Sequence, residues 1–210
     1  MDLGIIQATG QGVINPLPPA WVNLPKAPPG LPSWANFGRL TATEIQNLLA
    51  QIAYEQSQWN YAAIGTDHQL GRYQFTAPIL EYYGLLLPGS NEAYGTACVN
   101  HRQCWTPAYV RSTTSSYANY LYNTLSLGDF LVNVAAQEHL AYQRLYDLYV
   151  ALTKNNGITD ADADDVVAGM LNVAWNLGAD AAALWRLSGN APGAQSFNSG
   201  RYAIVVLSSA

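Results

Sequence analysis

Seven of the chain's eleven prolines fall within residues 1–40, among them the pairs Pro18-Pro19 and Pro28-Pro29. Proline fixes φ and removes a backbone donor, so this stretch is excluded from helix interiors and central strands. Trp21, Leu24, Leu31, Trp34 and Phe37 are interleaved with the prolines. An extended, polyproline-like arm with that many apolar side chains is expected to dock, either on this domain or on a neighbouring subunit.

Helical structure is therefore expected only beyond this point. Thr41 and Glu44 have the spacing of a capping box, followed by apolar residues at Ile45, Leu48, Leu49, Ile52 and Ala53, which predicts a helix from 41 to about 57. Residues 60–74 are rich in Gly and polar groups and suit a short β-hairpin or loop. Further helical patterns cover 76–84, 115–124, 127–153 and 162–186, with Asp129 and the cluster Asp160, Asp162, Asp164 and Asp165 placed to favour helix starts. Residues 202–207, Tyr-Ala-Ile-Val-Val-Leu, read as one strand in need of a partner. The expected organisation is an arm at 1–40, a mainly α domain at 41–190, and a tail at 191–210 that holds the strand.

Only 11% of the residues are charged, against about 25% in ordinary globular proteins. A surface so neutral suits a carbohydrate ligand, or burial against partner proteins. Nine Lys and Arg and a net charge of −5 disfavour a nucleic-acid partner, because gripping phosphates takes clustered cations. Neither a signal peptide nor a membrane span is expected, since Met1-Asp2-Leu3-Gly4 lacks a basic stretch followed by an apolar run and no apolar run is long enough to span a membrane. Cys98 and Cys104 flank His101, too few ligands in too short a loop for a structural zinc site. A local disulfide or two free thiols is expected instead, and neither a metal nor another cofactor.

Four segments carry a resemblance. Gln56-Ser57-Gln58-Trp59-Asn60 at the end of the first helix resembles the Glu-Ser-x-aromatic-Asn of the soluble lytic transglycosylases. Leu70-Gly71-Arg72-Tyr73-Gln74-Phe75 is similar to that family's Gly-Leu-Met-Gln, and closer to the Gly-(Arg/Lys)-Tyr-Gln-Phe of its phage versions. Asp129-Phe130-Leu131 followed by Ala136-Gln137-Glu138 resembles another recurrent phage segment, and Ala174-Trp175-Asn176-Leu177-Gly178 resembles Ala-Tyr-Asn-Ala-Gly. Together they span roughly residues 41–186. The resemblance implies a lysozyme-like helical domain facing peptidoglycan, with Ser57, Tyr73, Gln74, Trp175 and Asn176 lining the saccharide site.

The same resemblance places the family's catalytic glutamic acid at position 56, which is glutamine here. A carboxamide has no acidic proton to give, so Gln56 cannot act as a general acid. Such a residue is left either by a substitution made to trap a complex or by natural loss of catalysis. Glu55 is the fallback acid. On a helix advancing about 100° per residue, position 56 lies about 20° from the direction of Ile45 and position 55 about 80° from it on the other side. Gln56 thus faces the cleft side and Glu55 the flank. Asp67 is the nearest candidate for a second carboxylate, although a turn-forming role beside Gly65 is the reading its setting favours. Glu138 is expected to be solvated or to cap, pairing with His139 or a nearby Arg.

The closing Gln195-Ser-Phe-Asn-Ser-Gly-Arg-Tyr202, with the segments above, looks like structural proteins of contractile-tailed phages, including cyanobacterial ones. The resulting expectation is a virion protein of the tail or baseplate, contacting other tail proteins through its arm and strand and acting at the host wall, with its catalysis in doubt. Two other expectations stand beside it. One is an active lytic transglycosylase or muramidase that cleaves the MurNAc–GlcNAc bond with Glu55 as acid. The other is a carbohydrate-binding module without catalysis.

Overall fold

The protein is described from a computed structural model, which covers residues 40–110 and 124–189. The Pro-rich arm, the C-terminal strand and nearly all of the helix expected at 115–124 lie outside the described residues. What is described is mainly helical. The elements are α1 (Ala42–Ser57), α2 (Ala77–Tyr82), α3 (Ser90–Tyr94), α4 (Leu127–Val132), α5 (Val134–Lys154), α6 (Asp164–Leu177) and α7 (Ala179–Leu187), with 3₁₀ turns at Gly95–Asn100 and Arg102–Cys104.

The start of α1 is the expected capping box. Glu44 accepts hydrogen bonds from the Thr41 N–H and hydroxyl, both at 2.7 Å, and the Glu44 N–H donates back to the Thr41 hydroxyl at 3.3 Å. Ile45, Leu48, Leu49, Ile52 and Ala53 are all buried, as their spacing requires. The helix ends where Gln58 and Trp59 take left-handed backbone conformations, φ 52° and 65°. The Trp59 indole folds back to donate to the Ala50 carbonyl at 2.9 Å and lies against the ring of Tyr54 at 4.6 Å.

Residues 60–75 form a run of turns rather than a regular hairpin, with isolated bridges pairing Ile64 with Leu70 and Leu70 with Phe75. The two long helical patterns are each divided. Asn133 interrupts the first: its side chain accepts from the Ala136 N–H at 3.0 Å and donates to the Thr124 hydroxyl at 2.8 Å, which ends α4 and caps α5. Gly178, at φ 83°, interrupts the second between α6 and α7. Ser126 caps α4 in a reciprocal pair with Asp129.

The chain forms two compact units. Among the described residues the first unit comprises 40–48 and 145–189, and the second 49–110 and 124–144. In the first unit the turn after α5 is drawn close by Gly157, where an added Cβ would lie 2.6 Å from Leu152 and 3.2 Å from Ala183. Arg186 of α7 bonds the Gly157 carbonyl at 2.6 Å and pairs with Asp162. Asp162 also accepts from the Thr159 N–H at 2.6 Å. The second unit is built on the buried rings of Phe75, Trp105 and Phe130, whose centroids lie 6.1 Å from Phe130 in each pairing. No helix among the described residues is long and apolar enough to cross a membrane.

Candidate functional site

Within the second unit the end of α1, the turn at Gly71–Gln74 and the start of α5 interlock. Ser57 on the last turn of α1 donates to the Arg72 carbonyl at 2.6 Å. The Arg72 N–H donates to the Gln137 side-chain oxygen at 2.8 Å. The Gln137 nitrogen donates to the carbonyls of Tyr61 at 3.1 Å and Phe130 at 2.9 Å. Three of the four segments that carry the family resemblance therefore meet through hydrogen bonds across 15 and 65 residues of chain.

Gly71 makes this approach sterically possible. Its φ is +74°, and a Cβ there would lie 2.2 Å from the Gln137 oxygen. The Gly71 N–H donates to the Ala63 carbonyl at 2.8 Å, while its own carbonyl accepts from the Gln74 carboxamide at 2.8 Å. Gln74 itself adopts φ 49°, an uncommon state for a residue with a side chain.

Beneath the turn lies a sealed polar cluster. Arg72 and Glu138 have no solvent-exposed side-chain surface and stand 3.6 Å apart. Arg72 donates to the Tyr61 hydroxyl, which donates to one oxygen of Glu138 at 2.6 Å. The Tyr73 hydroxyl donates to the other oxygen at 2.7 Å. The Arg72 guanidinium also lies 4.8 Å from the centroid of the Tyr61 ring. Burial pushes the Glu138 carboxyl above its usual range, while Arg72 and the two hydroxyls pull it back. Burial also raises both tyrosines, reinforced by the neighbouring carboxylate. His139, next along α5, is held down at about 4 by burial, so its imidazole is neutral at pH 7.

Glu138 does pair with an arginine, but the expectation that it is solvated or a cap is corrected: it is the fully buried partner of Arg72. Its position on α5 carries the signal: Glu138 lies on one helical face with the buried Ala141, Tyr142 and Leu145. Arg72, Tyr61 and Gln137 were not singled out as site residues from the sequence, because their partners are far away along the chain.

The other expected residues are placed as follows. Gln56 is half-buried and Glu55 exposed on the last turn of α1, as the helical angles indicate. The side chain of Tyr73 is fully interior and supports the turn from behind. Gln74 and Ser57 are half-buried beside one another's segments. Trp175 and Asn176 belong to the first unit: Trp175 is buried on α6, and Asn176 is exposed with its carboxamide donating to the Asn172 carbonyl at 3.0 Å. Asp67 is exposed within the turn that the His68 N–H closes onto the Gly65 carbonyl at 3.1 Å. Cys98 and Cys104 are buried free thiols, with Cys98 raised by burial. Among the described residues no three His, Cys, Asp or Glu side chains are grouped to hold a metal ion.

The end of α1 thus carries residue 56 next to Ser57, which is bonded to a turn held from behind, and the Glu138 carboxylate beneath that turn is taken up by Arg72 and two tyrosines. Comparison of the chain with protein-family models, curated proteins and solved structures returns no match.

Proposed function

We propose that the chain is a phage tail or baseplate protein whose lysozyme-like domain faces the peptidoglycan glycan strand and, as written, lacks the general acid. The observation that carries this reading is the meeting of Ser57, Gly71–Gln74 and Gln137 at the end of α1. Three of the four segments that resemble the lytic transglycosylases meet there through hydrogen bonds, next to residue 56, where the resemblance would put the family's acid. The exposure of Glu55 and the partial burial of Gln56 support position 56 as the cleft-side residue. A family acid is set partly away from water so that it holds its proton until the glycosidic oxygen takes it, and an exposed side chain on the helix flank does not meet that requirement. The neutral surface, with 11% charged residues, fits a saccharide ligand and an assembled particle alike.

The test is muropeptide release from purified peptidoglycan by three versions: the chain as written, Gln56→Glu and Glu55→Ala. Release by the Gln56→Glu version alone is the expected result. Release by the chain as written that disappears with Glu55→Ala would refute the assignment of position 56 and make the protein a working enzyme. Silence in all three, combined with failure to sediment with peptidoglycan, would remove the wall-facing role altogether.

A further inference from the structure

We propose that Gln137 is the positioning residue of this site: its carboxamide sets the Gly71–Gln74 turn at the distance from the end of α1 that glycan binding requires. The inference rests on the glycan-facing reading above. Gln137 has no exposed surface, and it uses both amide hydrogens and its oxygen on three backbone groups, those of Tyr61, Phe130 and Arg72. Its orientation is dictated by these partners, since an N–H must meet an oxygen and two carbonyls must meet the nitrogen. No other side chain of natural type offers this pattern at this length. A glutamate would turn an oxygen toward two carbonyls, and an asparagine falls one methylene short.

The structure around Gln137 is shaped to admit it. Gly71 leaves the space, since a Cβ there would come within 2.2 Å of the Gln137 oxygen. Ser57 holds the opposite side of the same residue by taking the Arg72 carbonyl at 2.6 Å. Both backbone polar groups of Arg72 are thereby tied, one to α1 and one to α5. The Arg72 side chain is tied a third time through Tyr61 and Glu138. The register between residue 56 and Gln74 is set by these ties rather than by the turn alone, because Gln74 at φ 49° is not a conformation its own residue type prefers.

The experiment uses the full chain. Gln137→Met keeps the length and removes all three bonds, Ser57→Ala removes only the second tie, and Leu152→Ala is a destabilised control in the first unit. Amide hydrogen exchange reads the turn, and calorimetric titration with the tetrasaccharide (GlcNAc-MurNAc)2 reads binding. Gln137→Met is expected to speed exchange at the Arg72 amide by about 100-fold or more and to weaken the tetrasaccharide by about tenfold. Ser57→Ala should move both in the same direction by less, and supplies the answer if Gln137→Met does not fold. Leu152→Ala should lose thermal stability yet keep its affinity. Unchanged exchange at Arg72 overturns the positioning role. So does faster exchange with unaltered affinity, or an equal loss of affinity in Leu152→Ala. If the unaltered chain does not bind the tetrasaccharide, the glycan reading fails, and the exchange data alone then decide whether Gln137 holds the turn.

Discussion

Removing both partners of the buried Arg72–Glu138 pair should cost much less than the sum of the costs of removing each alone. At 3.6 Å and an effective dielectric of about 20, the attraction between the two charges is about 4–5 kcal/mol. The hydroxyls of Tyr61 and Tyr73 add hydrogen bonds to a charged acceptor, each about 1.5–3 kcal/mol. Against these stands a desolvation cost of several kcal/mol for each ion. The terms nearly cancel while the pair is whole and cease to cancel when it is broken. Glu138→Leu leaves the guanidinium buried without its counter-charge, and Arg72→Met leaves the carboxylate so. Each is expected to lose about 3–5 kcal/mol. The double variant should lose much less than the sum, giving a coupling energy of about 2 kcal/mol or more. Urea unfolding of the four proteins at pH 7 measures the cycle. A coupling below about 0.5 kcal/mol, or single losses typical of surface residues, would refute the description of this pair as sealed and ionised.

Gly71→Ala should be disproportionately harmful for so small a change. The added Cβ meets a left-handed backbone at φ +74° and the Gln137 oxygen at 2.2 Å. Strain of about 1–2 kcal/mol plus the displaced carboxamide, about 1–3 kcal/mol, should lower Tm by about 4–20 °C. A calorimetric shift under about 2 °C would contradict the geometry. Asp162 is held at about 2 by its hydrogen bond with Arg186 and by the Thr159 N–H. A carboxyl lowered on folding stabilises above its unfolded value and loses that contribution as pH falls through the folded one. Asp162→Asn should therefore cost about 1 kcal/mol at pH 7, discounted for solvent around the pair. The difference from the unaltered chain should close between about pH 4 and pH 2; a difference that persists unchanged at pH 2 would refute it.

What the sequence disclosed depended on how far each signal reaches along the chain. The capping box at Thr41 and Glu44 and the apolar face of α1 are local, and both were legible. The break at Asn133 was not, because the apolar pattern continues through it and only the side-chain cap on Ala136, together with Thr124, shows that two helices meet there. Gly178 interrupts a pattern in the same way. Helix α3, five residues between Gly89 and Gly95, is shorter than any periodicity could reveal. At the site, the contrast between half-buried Gln56 and exposed Glu55 followed from helix geometry alone. The role of Glu138 did not, since its partners Tyr61, Arg72 and Tyr73 lie 65 or more residues away and no pattern in the sequence links them.

The reversal that ends α1 has a consequence for how such a chain can evolve. The backbone there is fixed by the left-handed Gln58 and Trp59, by the indole on the Ala50 carbonyl and by the Ser57 hydroxyl on Arg72. These are neighbours of residue 56 and hold whether that residue is an amide or an acid, two groups of nearly equal size and shape. The ties that fix this reversal therefore do not themselves specify the choice at this position. On the function proposed above, a single-base change between glutamine and glutamate codons would remove or restore the acid while leaving these backbone ties in place.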